Sequence, residues 1–171
     1  MHADLSPVIA ATAQWLTHAY PASGGALAAA LCEVQARQAA TVAAWLRYPT
    51  AMDAALLGVA GPGGSGRLDW ITGADAAVSG DPGTDPWRTW VDEVVASWAA
   101  CLLTDPGLAA LAVTAVGGTG EPAPFRRLLA PDAGDRRAAA LLRHPDLLAP
   151  VAALHHAQLL DLLRPGHSLI A

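Results

Sequence analysis

A chain of 171 residues is long enough for one domain with a sizeable core, and 53% hydrophobic against 15% charged residues excludes disorder over most of it. The formal net charge of −5 argues against nucleic acid as the main partner. Lys and Asn are absent, so all ten basic residues are Arg, a composition that reads as the codon bias of a GC-rich bacterial genome. Ala supplies about a quarter of the chain and favours helix.

In chain order, Ser6-Pro7 reads as an N-cap and first helical position, opening a helix to about Ala19. A turn over 21–25 leads into a long helix over 26–47. Its apolar stripe is Leu27, Leu31, Val34, Gln38, Val42 and Trp45, with Glu33 and Arg37 paired on the opposite face. Pro49 starts a helix carrying Met52, Leu56, Leu57 and Val59. Residues 61–85 read as a loop-rich insert, either a lid or a linker, longer than ordinary connections. Within it "GPGGSG" lacks the Gly-Lys-Ser/Thr ending of a phosphate loop, and "RLDWIT" is too short to assign.

The strongest helical pattern covers 86–103, opened by Asp85-Pro86. Trp87, Trp90, Val91, Val94, Trp98, Cys101 and Leu102 fall on one face, and Asp92 and Glu93 are expected to point away. Asp105-Pro106 starts another helix, ended by Gly117-Gly118. Short helices near 124–130 and 135–143 follow, then one from Pro145 to about Leu163 and a tail over 165–171. "WLRYPTAM", "LLTDPGLA" and "LLRHPDLL" repeat one corner: a helix end, a Pro, and a new helix. The expectation is a single all-α domain over 1–171, a bundle or orthogonal array of about seven helices.

The adjacent histidines of "VAALHHAQLL" are the first functional candidates. On a helical wheel His155 falls mid-face among Leu147, Leu148, Val151, Leu159 and Leu162, and His156 at the edge. A buried ring with one hydrogen bond is the leading reading of His155. A polar or acid–base group in a ligand pocket is the alternative. Asp161 lies on the other side and is not placed to orient it. With only three Glu and no Glu-x-x-His pair, neither a metal nor a cofactor is expected. Cys32 and Cys101 read as core residues, and no Ser-His-Asp arrangement can be nominated.

Five of the six Trp suit a core, whereas Trp70 lies in the insert and is the best candidate contact residue. Arg126, Arg127, Arg136 and Arg137 read by default as a solvated face; the alternatives are an acidic partner or a phosphate, or pairing with the acidic stretch 67–93. No basic residue precedes Arg37, so no secretory leader is read; no run suits a membrane span, and a cytoplasmic location is expected.

Two functions remain from this reading. The leading one is a non-catalytic helical module that associates with a protein partner or with itself. The other is a small all-α enzyme or carrier of a small hydrophobic ligand, with a Trp/Leu-lined pocket and His155 as its polar group.

Overall fold

The computed structural model describes residues 4–74, 85–117 and 123–164. These residues form ten α-helices and two 3-10 turns, with no strand among them. The helices are α1 (Ser6–Ala19), α2 (Gly25–Arg47), α3 (Ala51–Ala60), α4 (Gly66–Thr72), α5 (Glu93–Thr104), α6 (Pro106–Ala115), α7 (Arg126–Leu129), α8 (Ala133–Ala138), α9 (Pro145–Ala152) and α10 (His156–Leu162). The chain is all-α as its composition predicts, but with more and shorter helices than the periodicity suggests. The expected tail 165–171 and residues 75–84 of the insert lie outside the described residues.

Helix α2 forms the centre, packed by α1, α5, α6, α7 and α8. Its buried face is Cys32, Gln35, Ala36, Ala39, Val42, Ala43 and Leu46. Small side chains on this face let neighbouring helices approach closely, while larger ones such as Trp15, Leu16, Leu102 and Leu142 fill the space around it. Burying each of these larger side chains stabilises by roughly 1.5–3 kcal/mol. The predicted Leu27–Val34 stripe is therefore a correction: Leu27 is 73% and Val34 41% exposed. Only its continuation is covered, where the Gln38 side chain accepts a bond from the Leu128 N–H and Trp45 meets Phe125 edge-on. Periodicity weights Leu above Ala, and here the Ala face is the core.

Two predicted long helices are broken. Pro86–Trp90 is a 3-10 turn, and α5 begins only after Asp92, whose carboxylate caps the N–H groups of Val94 and Val95. Asp92 does not point away; it is buried and also accepts the Tyr48 hydroxyl. The second break falls at Ala153–His155, between α9 and α10. Pro150 inside α9 offers no N–H to the preceding turn. Three side chains of α5 then satisfy the opened backbone. Ser97 donates to the Ala152 carbonyl at 3.1 Å and accepts the His155 N–H at 3.0 Å, Trp98 Nε1 donates to the His155 carbonyl, and Cys101 reaches the Ala152 carbonyl.

The corners differ in detail. Asp105 and His144 hold the N-cap positions before Pro106 and Pro145. Pro49 instead precedes Thr50, whose side chain forms a capping box with Asp53 to open α3. Between α3 and α4, Gly61, Gly63 and Gly64 take φ of +75°, +114° and +82°, a reversal that side chains would strain.

The unassigned "RLDWIT" is helix α4, and its Asp69 fixes it to the body. The Asp69 carboxylate is buried and accepts from Trp15 Nε1 at 2.9 Å, Ser65 Oγ at 3.0 Å and the Arg88 guanidinium. Residues 61–74 are thus neither a free lid nor a linker.

Burial pushes the Tyr20 phenol from 10.0 up to about 12, and its hydroxyl donates to the Leu147 carbonyl. Tyr48 is raised as well, by burial first and then by the Asp92 carboxylate. A fold that favours the neutral phenol keeps this contribution in full below the unfolded value of about 10. It loses the contribution as pH climbs through the folded value. Stability is therefore expected to fall between pH 10 and about 12, with the tyrosinate absorbance rising only in that range. Ordinary tyrosinate titration near 10 with the fold intact would contradict this burial.

Candidate functional site

His155 sits at the break between α9 and α10, not in the middle of a helix face. Its main chain is held by Ser97 and Trp98 of α5, so its ring leaves the chain beside the first turn of the same helix. There Nε2 lies 2.9 Å from Glu93 Oε1, and the same oxygen is 3.3 Å from Arg67 Nη1 of α4. Glu93, expected to face outward, instead joins three elements. Both the His155 and Glu93 side chains are about one-quarter exposed, so the ring is half-buried.

A neutral ring that donates Nε2–H to Glu93 keeps a lone pair on Nδ1, which makes no bond within the described residues. The arrangement resembles an acid–base dyad but lacks the rest of one. Ser97 lies close to His155, yet its hydroxyl contacts the main chain and not the ring, and it is fully buried. No serine nucleophile is therefore activated here. Asp161 pairs with Arg164, consistent with its exclusion as a partner of His155.

The pair Ser97 and His155 makes a separable prediction. Ser97→Ala removes the partner of the buried His155 N–H and is expected to cost about 1–3 kcal/mol. His155→Ala loses only the partly exposed contact with Glu93 and is expected to stay within about 1 kcal/mol. Urea unfolding of the two variants checks this; a larger loss for His155→Ala would restore the ring as a core residue.

The other candidates are scattered. His156 is exposed and lines a groove of about 350 Å³ with Cys101, Asp105 and Pro145. Cys101 is no nucleophile in it, because burial raises its thiol to about 11. Cys32 is likewise buried and raised. Trp70 is 75% exposed on α4, as its place in the insert predicts.

The arginine pairs are largely engaged inside the protein. Arg126 and Arg127 both bond the buried Asp135 carboxylate, Arg126 also faces Asp132 at 3.8 Å, and Arg136 donates to the Pro131 carbonyl. Arg137 is exposed and makes no bond within the described residues. The acidic and basic stretches do not pair with each other there. Asp69 is met by Arg88, Glu93 by Arg67, and Asp135 by Arg126 and Arg127.

Sequence reasoning missed a further cluster. The His18 ring stacks on Trp87 at 5.4 Å, and Arg88 lies over the same indole. His18 Nδ1 meets the Gln14 carbonyl at 2.8 Å, which fixes the tautomer as Nδ1–H. His18, Thr17, Cys32 and Glu33 border a groove of about 610 Å³ between the end of α1 and the start of α2. A third groove, about 420 Å³, has Leu46, Trp98 and Leu162 within it and Arg47, Asp53 and Asp161 around it. Among the described residues no three His, Cys, Asp or Glu converge in a way that could hold a metal ion. No described helix is long and apolar enough to cross a membrane.

The surface feature that stands apart is α3. Ala51, Met52, Ala55, Leu56, Gly58, Val59 and Ala60 are all exposed, and only Leu57 is buried. At 100° per residue the exposed positions span an uncharged arc of about 200°. Helices that pack against one surface need a stripe of about 100°. Met52, Leu56 and Val59, exposed at 69%, 59% and 89%, lie near the middle of this arc at helical spacing. Comparison with protein-family models, with curated protein sequences and with solved structures finds no match to this chain.

Proposed function

We propose that the protein is a non-catalytic helical interaction module that binds a protein partner, or another copy of itself, through α3. The carrying observation is the uncharged arc of α3, with Met52, Leu56 and Val59 facing solvent. Helix recognition commonly uses apolar anchors at this spacing, and an uncovered patch of this kind marks a contact surface. The capping box at Thr50 and Asp53 keeps the first turn of α3 formed without a partner. A reducing, cytoplasmic setting suits the two free, buried thiols. Nucleic acid ranks low as a partner, because the net charge is −5 and Arg126 and Arg127 are already paired with Asp132 and Asp135.

The enzyme or carrier reading draws support from the His155–Glu93 pair. It ranks second because His155 borders none of the three grooves described above. A photoreactive amino acid placed at Leu56 in the producing cell tests the leading reading. It should give a discrete protein adduct, whereas the same probe at exposed Asp4 should not. Absence of any adduct specific to position 56 would overturn the reading.

A further inference from the structure

We draw no further inference here: the strongest candidate, the uncharged, solvent-facing arc of α3 around Met52, Leu56 and Val59, carries nothing beyond the reading above, because nothing in the structure shows what covers it.

Discussion

Replacing Asp135 by Ala is expected to destabilise the protein by about 3–5 kcal/mol, because it strands charges that the fold has taken from water. The Asp135 side chain has no exposure and accepts bonds from both Arg126 and Arg127. It also accepts the Asp132 N–H in the capping box of α8, while its own carbonyl accepts Gln35 Nε2. The same carboxylate lies close enough to Arg143 to offset part of that cation's burial, which otherwise lowers the guanidinium from its usual value. Arg126 is half-exposed and can turn to solvent; Arg127 and Arg143 are more enclosed and cannot do so cheaply. Asp135→Asn keeps an acceptor for the capping box and is expected to recover roughly half of the loss. Urea unfolding at low and high salt is the check. A loss under about 1 kcal/mol would mean that the arginines rehydrate and that the junction contributes little.

The second large effect is expected at Asp69, where truncation to Ala should cost about 3 kcal/mol and release α4 from the body. Three donors converge on this carboxylate: Trp15 Nε1, Ser65 Oγ and Arg88. Removing it leaves a buried indole N–H and an Arg that is only 21% exposed without their acceptor. Arg88→Ala is the informative contrast. It leaves Asp69 with two neutral donors, and Arg88 also stacks on Trp87, so its loss loosens the 3-10 turn more than α4. Limited proteolysis separates the two. Asp69→Ala should open cleavage within 61–74, and protection there equal to the parent protein would show that Leu68 and the Arg67–Glu93 pair hold α4 without it.

Much of the fold is legible in the sequence because helix signals are local. The caps at Asp105 and the starts at Pro106 and Pro145 fall where composition places them. Three features were not legible, for one reason: each depends on a partner far away in the chain. Nothing near Leu27 tells that α2 turns its alanines inward. Nothing near His155 tells that Ser97 and Trp98 hold an open helix turn beside it. Glu93 looks like a solvated residue until α4 and the α9–α10 break arrive on either side. Trp70 was legible as exposed, because Gly and Asp around it offer no core. The exposed arc of α3 was written in its composition too, but periodicity cannot say whether an apolar helix is covered.

The junction around Gln35 also fixes an order of assembly. Gln35 meets Asp135 and Arg143 across separations of 100 and 108 residues, and Gln38 meets Leu128 across 90. Helices α1 and α2 emerge first during synthesis and can zip together through local contacts. Their amide side chains must then wait for the last third of the chain before they find partners. Loop closure of that span is entropically slow, so consolidation of this polar seam belongs late in folding. A nascent chain stopped before Asp135 therefore carries a hairpin whose central glutamine still lacks two of its bonding partners.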